Sequence, residues 1–345
     1  MHRHSFRSPL LTSLIAAAVM TLSVGALAAT AAEPADEREA PDRTELMVGL
    51  GFIPSVQFAQ FYLAEEAGYY EDAGLDVTFQ NKIDPELITL LAQGSVDVGM
   101  ADGTSLIPAV SQGIPVVYGA TIYSRFPNVV FAPSSAGVGA VADLAGKSVG
   151  IPGRYGSSWI MLQALLASAG MSLDDVEVVT YPDFGQGVAV AQGQVDAATG
   201  FVNNEPIQLE REGVKVDILR VDDVAPLPGP GLVVGTRTLE AKTDALRAFT
   251  KATLRAMEDI AADPQLGLDA TFARVPELAG DPETQLAILE ATIDAWMGER
   301  APQQGFGGVD RDAWQSALDI MTALPDSVVA SPITVDQLIT DALQP

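Results

Sequence analysis

The residues with the most distinctive chemistry are Asn203, Asn204 and Glu205, three consecutive polar side chains that follow a predicted strand. Asparagine amides donate and accept hydrogen bonds, and a carboxylate accepts two in parallel, for instance from a ring N–H and an exocyclic amine. This pattern favours recognition of a nitrogen heterocycle. It also suits a helix start, with Asn204 as N-cap and Glu205 favourable to the helix dipole. Both interpretations stay open from the sequence.

A second polar loop, Gly153–Ser158, joins a predicted strand to a predicted helix. Its backbone N–H groups and the hydroxyls of Ser157 and Ser158 would form a donor-rich nest, and Arg154 would meet an anion there. The alternative is that Ser157 only caps the helix and Arg154 is solvated. The loop has no Walker-type lysine, so nucleotide binding is weakly supported.

Further candidates stand at the ends of predicted strands. The carboxylate of Asp102 suits a cationic or amine-bearing ligand, while Thr104 is equally an ordinary helix N-cap. Flat rings beside a cleft sandwich a heterocycle by stacking, and we expect Phe52 and Tyr155 to be the main pair. The expected ligand-binding residues are Phe52, Gln57, Asp102, Thr104, Tyr123, Arg154, Tyr155, Ser157, Ser158, Phe201, Asn203, Asn204 and Glu205.

A repeated phrase indicates how these side chains are positioned. Residues 92–97 read AQGSVD and residues 191–196 read AQGQVD, so the two copies are 99 residues apart. Each copy ends an apolar helical stretch with a glycine, opens a short buried strand and leads into a loop rich in small and polar residues. Open α/β sheets bind ligands in such loops, at the carboxyl ends of parallel strands. Two copies predict two lobes that face one cleft.

Alternating strand and helix patterns predict an α/β fold with largely parallel sheets covered by helices. We expect a first lobe from residues 46–140, a second lobe from 141–232, and a helical return to the first lobe over 233–345. The chain would cross between lobes near 137–147 and near 224–235. Two crossover strands make a hinge, which suits closure around a ligand.

The amino terminus predicts export. Arg3 and Arg7 precede an uncharged apolar run that ends in small residues, a pattern typical of a signal peptide over residues 1–28. The alternative is an uncleaved membrane anchor, because the run approaches spanning length. Residues 29–45 are charged and proline-containing and read as a disordered lead-in. We therefore expect a periplasmic or cell-surface protein.

Composition excludes several classes of function. The chain has no cysteine and two histidines, and cleavage after residue 28 would remove both, His2 and His4. Ser-His-Asp and Cys-His catalysis, zinc sites and disulfides are then excluded, so we expect no catalytic residue, no metal site and no cofactor. A net charge of −26 repels nucleic acid and anionic lipid surfaces. We expect a monomer whose partner is a small molecule.

Several phrases resemble a known family of transport proteins. They are FAQFYLAEEAGYYEDAGLDV at 58–77, LLAQGSVDVGMA at 90–101, DLAGKSVGI at 143–151, GRYGSS at 153–158, GQVDAATG at 193–200 and NNEP at 203–206. In these the chain resembles solute-binding proteins of ABC importers, in the family that includes thiamine-pyrimidine-precursor-binding and alkanesulfonate-binding proteins. The resemblance implies a two-lobed periplasmic-binding-protein fold of the two-crossover type, no catalysis, and delivery of ligand to a membrane permease that works with a cytoplasmic ATPase.

The resemblance indicates the class of ligand less directly than it indicates the fold. GRYGSS and NNEP are more similar to the branch that binds heterocyclic vitamins or their precursors, which favours a thiamine pyrimidine precursor, with a riboflavin-like vitamin next. Some thiamine-precursor binders carry a tryptophan near the position of Phe52. The phenylalanine of this chain departs from that pattern. A small anion such as an alkanesulfonate is the alternative, and a secreted enzyme using Asp102 and Glu205 in acid–base roles is a further one. A fungal pyrimidine synthase of this fold uses a histidine and a cysteine-rich iron site, residues that the mature chain would lack.

We expect ligand binding to need no metal ion, because the mature chain lacks the soft and borderline ligands that transition metals prefer. Titrations with and without a chelator should give the same affinity, with a metal-supplemented sample as the control. A loss of affinity under chelation would contradict this expectation.

Overall fold

A computed structural model of the chain describes residues 43–81, 86–298, 305–324 and 327–344. The expected signal peptide and the lead-in up to residue 42 lie outside the described residues, whereas Thr44 and Glu45, expected in the lead-in, begin the first strand. Asp84 and Pro85, whose residue types predict an N-cap and the first position of a helix, also lie outside the described residues. Everything described below belongs to one compact unit, Pro41–Pro345. No helix within the described ranges is long and apolar enough to span a bilayer.

Two five-stranded sheets form the framework, and they have the same topology. The first has the order β2-β1-β3-β10-β4 and the second the order β7-β6-β8-β5-β9. In each sheet the fourth strand in this order runs antiparallel to both of its neighbours, and the other pairings are parallel. The strands of the first sheet are β1 (Thr44–Leu50), β2 (Leu75–Asn81), β3 (Val98–Ala101), β4 (Val116–Thr121) and β10 (Gly231–Gly235). Those of the second are β5 (Asn128–Pro133), β6 (Ser148–Ile151), β7 (Glu177–Thr180), β8 (Ala197–Phe201) and β9 (Val216–Arg220).

The repeated phrase builds the same corner in both sheets. Gly94 and Gly193 adopt left-handed backbone conformations, with φ of 76° and 67°, where other residues would be strained. The aspartate that ends each copy then bonds to the neighbouring parallel strand. Asp97 Oδ2 accepts the N–H of Met47 at 2.9 Å, and Asp196 Oδ2 accepts the N–H of Ser148 at 2.8 Å. The predicted helix–glycine–strand unit is confirmed in both places.

Helices cover both faces of each sheet, as the alternating sequence pattern predicts. They are α1 (Ala59–Glu66), α2 (Tyr69–Asp72), α3 (Glu86–Gln93), α4 (Gly103–Ser111), α5 (Gly156–Ser168), α6 (Gln186–Ala191), α7 (Glu205–Arg211), α8 (Thr236–Ala262), α9 (Pro264–Arg274), α10 (Pro282–Met297), α11 (Arg311–Ala323) and α12 (Val335–Leu338). On β5, Val129 and Phe131 pack with α6 and α7, whereas Val130 and Ala132 belong to the core shared with α5. This alternation is the period of two that a covered strand requires.

The first crossing between the sheets differs from the sequence expectation. It was expected near residues 137–147, but β5 already belongs to the second sheet, so the chain leaves the first sheet between Thr121 and Asn128. The sequence analysis assigned no element to β5, whose apolar run is bounded by Pro127 and Pro133. Strand β9 was also missed. The return crossing lies between Arg220 and Gly231, within the proline-rich stretch that was expected to carry it.

The carboxyl-terminal helices pack mainly as expected. Residues of α8, α9 and α10 join the core on one face of the first sheet. Helix α10 also contacts α7 of the second sheet, and α11 contacts both α4 and α5. Trp314 of α11 lies against Tyr118 of β4, with ring centroids 4.8 Å apart. The tail therefore touches elements of both sheets rather than only padding the first.

Candidate ligand-binding site

A cavity lies between the two sheets, at the carboxyl ends of β1, β3, β6 and β8. It encloses about 930 Å³ of space between atoms, part of it open to solvent. The first sheet contributes the loop after β1 and the end of β3, and the second contributes the start of α5, the loop before α6 and the start of α7. Tyr123 and Pro230, from the two crossing segments, complete the wall.

Most of the residues singled out from the sequence line this cavity. Ten of the expected thirteen do so: Phe52, Gln57, Asp102, Tyr123, Tyr155, Ser157, Ser158, Phe201, Asn204 and Glu205. They come from segments far apart in sequence, and the shared topology of the two sheets brings them to one place. Their contact with a ligand stays a prediction.

Three expected residues are not part of the cavity wall. The hydroxyl and backbone N–H of Thr104 both bond to Asp102, so its role here is local. Asn203 is fully buried and donates from Nδ2 to Thr292 Oγ1 at 2.7 Å, which links the second sheet to α10. Arg154 is exposed, and its guanidinium lies 5.1 Å from the ring centroid of Trp159, beside a neighbouring groove.

Glu205 is a half-buried acid of the cavity wall. Its Oε2 accepts the N–H of Phe201 at 2.9 Å, and its Oε1 accepts from Gln186 Nε2 at 3.4 Å. A Cβ added at Gly200 would lie 2.8 Å from Oε2, so glycine at this position leaves room for the carboxyl group. Burial raises the pKa of Glu205 from 4.5 to about 7, against the opposing effect of the Phe201 N–H. Near neutral pH this group therefore donates or accepts a proton readily.

Neighbouring polar groups are held in fixed positions. Asp102 caps α4, accepting the N–H groups of Thr104 at 2.9 Å and Ser105 at 3.3 Å with Oδ1. Asn204 occupies the N-cap position of α7, but its Oδ1 accepts from Gln208 Nε2 at 2.7 Å instead of capping the helix. The N-cap of α4 is thus Asp102 and not Thr104, and the N-cap interpretation describes the side chain of Asn204 poorly.

Aromatic rings from both sheets meet at the cavity. Phe52 of the first sheet and Phe184 of the second pack edge to face, with centroids 4.9 Å apart and an angle of 87°. Tyr155 also lines the wall and is 39% exposed. Tyr123 is almost fully buried, and burial raises the pKa of its hydroxyl well above the ordinary value. The site combines flat apolar surfaces with a few fixed polar groups, as small-molecule sites do.

Sequence reasoning missed Phe184 and Gln186, which both line the cavity. Phe184 has a φ of 60°, and it is the one non-glycine residue with positive φ in the described part of the chain. Nothing in the sequence signals that conformation. Gln186 stands at the start of α6, in a stretch that was read only as a short apolar helix.

The cavity wall contains no lysine, arginine or histidine within the described residues. Arg125, in the first crossing segment, donates to Asp222 Oδ2 at 3.0 Å. Over the described ranges, no cluster of three or more metal-ligating side chains is found. The chemistry present is therefore that of neutral and acidic hydrogen-bonding groups beside aromatic rings.

Comparisons with known proteins agree with this geometry. A family model described as NMT1/THI5 like matches residues 55–266. The riboflavin-binding protein RibY of Chloroflexus aurantiacus is 33% identical over 322 residues, covering 92% of this chain and 91% of that protein. A formylaminopyrimidine-binding protein of Halalkalibacterium halodurans is 27% identical, covering 88% and 92%. A 4-amino-5-hydroxymethyl-2-methylpyrimidine phosphate synthase of Aspergillus parasiticus is 28% identical and covers 60% and 64%.

Solved structures share the fold. The alkanesulfonate-binding protein SsuA from Xanthomonas axonopodis pv. citri, bound to MOPS, superposes with a TM-score of 0.63 at 20% identity, covering 84% of this chain and 97% of that one. This confirms the predicted two-lobed periplasmic-binding-protein architecture.

The raised pKa of Glu205 predicts a pH-dependent cost of folding. The folded chain binds this proton up to about pH 7 and an exposed carboxyl up to about pH 4.5, so stability is lost as pH rises through that range. We expect Glu205→Gln to raise the free energy of unfolding at pH 8 by about 3 kcal/mol and to change it little at pH 4, since one pKa unit corresponds to about 1.4 kcal/mol and the pKa rises by about 2.5.

Urea unfolding at the two pH values measures this difference. Glu212→Gln, at an exposed position just after the same helix, is the matched control and should change stability little at either pH. An equal effect of Glu205→Gln at pH 4 and pH 8 would contradict the assignment.

Proposed function

We propose that this chain, which belongs to the NMT1/THI5-like family, is a solute-binding protein of an ABC importer and that its ligand is a planar heterocyclic vitamin. The observation that carries this proposal is the cavity itself, where rings from both sheets surround a half-buried carboxyl group. Flat rings stack on a conjugated ligand, and fixed polar groups read its edge. In this role the protein works outside the cytoplasmic membrane and delivers its ligand to a membrane permease.

We favour riboflavin over the thiamine pyrimidine precursor that the sequence analysis placed first. Two observations support this order. The similarity to the riboflavin-binding relative is higher than that to the pyrimidine-binding one, and it extends over nearly the whole chain. The cavity encloses about 930 Å³ between atoms, and a second groove shares Tyr155 and Gly156 with it, which suits a ligand longer than a single ring. The pyrimidine precursor is the second candidate.

Neither a small anion nor a substrate for catalysis suits the site as well. A sulfonate needs a cationic or donor-rich partner, but the described wall carries two acids, Asp102 and Glu205, and no basic residue. Catalysis by these two acids is disfavoured because Asp102 already caps α4 through short hydrogen bonds. We therefore propose binding without turnover, although a synthase belongs to the set of relatives.

We expect riboflavin to bind with a Kd of about 1 µM or below, because stacking and buried hydrogen bonds act together in the cavity. Quenching of flavin fluorescence on titration measures this affinity. Tyr155→Leu should weaken binding about tenfold through loss of the ring, whereas Tyr181→Leu, outside the cavity wall, should not. The aminopyrimidine and an alkanesulfonate are titrated in parallel. No binding of riboflavin or of the aminopyrimidine would overturn the proposal.

We also expect the ligand to favour a closed form of the protein, because residues of both sheets line one cavity. Contacts between α7 and α10 regions, Asn203 with Thr292 and Arg211 with Glu283, would hold this form. Small-angle scattering should show a smaller radius of gyration at saturation than without ligand. Thr292→Val, which removes the acceptor for Asn203, should increase the radius of the free protein. An unchanged radius at saturation would count against closure.

A further inference from the structure

One buried acceptor in the cavity wall has no partner. Gln186 is 1% exposed, and its Nε2 donates to the carbonyl oxygen of Thr199 at 3.2 Å and to Glu205 Oε1 at 3.4 Å. Its Oε1 is buried without a hydrogen bond. Of the seven such side-chain atoms in the described part of the chain, Gln186 Oε1 alone belongs to a residue that lines the cavity.

The orientation of this amide is fixed by its surroundings. If the group were turned over, its oxygen would face the carbonyl oxygen of Thr199 and the carboxyl group of Glu205, which the present orientation supplies with a donor. Exchanging the two atoms would thus place the amide oxygen against the carbonyl oxygen of Thr199, which can only accept, and would lose that hydrogen bond. The free oxygen is therefore held in place by the two bonds that the nitrogen makes.

The sequence repeat shows that a glutamine is not needed here for packing. Leu87 of α3 stands 99 residues before Gln186, the same spacing as the repeated phrase, and it packs over Gly49 of β1 as Gln186 packs over Gly150 of β6. In the first sheet this position is apolar core. A buried polar group without a partner destabilises the folded chain, so a polar residue at the second copy is best explained by ligand binding.

We propose that Gln186 determines ligand specificity by accepting, at Oε1, a hydrogen bond from an N–H group on the edge of a planar heterocycle. This inference rests on the proposed function and deepens it. The required donor is shared by the imide N–H of a flavin and the exocyclic amine of a 4-aminopyrimidine. Glu205, which Gln186 contacts directly, accepts or donates at the neighbouring position on the same edge.

Replacing the donor N–H by N–CH₃ tests this hydrogen bond. Riboflavin and 3-methylriboflavin are titrated against the wild-type chain, Gln186→Met and Gln163→Met. Gln163 is the matched control, because it is also buried, donates to a backbone carbonyl (that of Trp159) and does not line the cavity. A general loss of packing weakens both flavins equally, so the ratio of the two affinities reports on the hydrogen bond.

We expect the wild-type chain and Gln163→Met to prefer riboflavin by about tenfold or more, and Gln186→Met to reduce that preference to about threefold or less. The same comparison is made with 4-amino-5-hydroxymethyl-2-methylpyrimidine and its dimethylamino analogue. If a parent compound binds and its preference over the methylated form is unchanged in Gln186→Met, this inference is overturned while the proposed function stands. If neither parent compound binds, the proposed function fails and the inference fails with it.

Discussion

The bond from one aspartate carboxylate to the neighbouring strand, made once in each sheet, is the constraint on which the site depends. Asp97 and Asp196 stand immediately before β3 and β8 and accept backbone N–H groups of β1 and β6. The hydrogen bonds from the backbone and hydroxyl of Ser148 lower the pKa of Asp196, so the ionised form holds this contact at neutral pH. Because the bond fixes where each central strand begins, it also fixes where the strand ends. The loops that follow β3 and β8 carry Asp102 and Glu205.

Partial burial of Glu205 explains why the site suits a ligand with hydrogen-bond donors. A carboxyl group surrounded by protein loses much of its hydration, and the Phe201 N–H returns only part of it. A ligand that presents an N–H or amine to this carboxyl group supplies hydrogen bonds that replace the lost hydration. The same reasoning applies to Gln186, whose oxygen lacks any donor. An unpartnered acceptor on Gln186 beside the poorly hydrated carboxyl group of Glu205 disfavours an anion and favours a donor-bearing edge.

Local sequence signals were sufficient for most of the fold and for much of the site. Glycines after helices and the repeated phrase are short-range features, so the alternation of strands and helices, the two-lobed organisation and residues such as Tyr155 and Glu205 followed from them. Local signals did not predict which residues from distant segments meet in space. Strand β5 was hidden between two prolines, and the left-handed backbone of Phe184 has no local cause in its sequence. Gln186 became visible only when its counterpart Leu87 was placed in the other sheet.

The two lobes have the same topology but contribute different kinds of residue to the cavity wall. The first lobe supplies Phe52, a capped Asp102 and an apolar core where the second has Gln186, so it offers mainly surface. The second lobe supplies the half-buried acid and the amide that would read the ligand. Helix α10 joins them, because it packs on the first sheet while its Thr292 accepts a hydrogen bond from Asn203 of the second. Asn203 lies two residues from Glu205, so movement of α10 relative to α7 is coupled to the position of the acid. The closure and the ligand recognition that we propose would therefore act through the same connected segment.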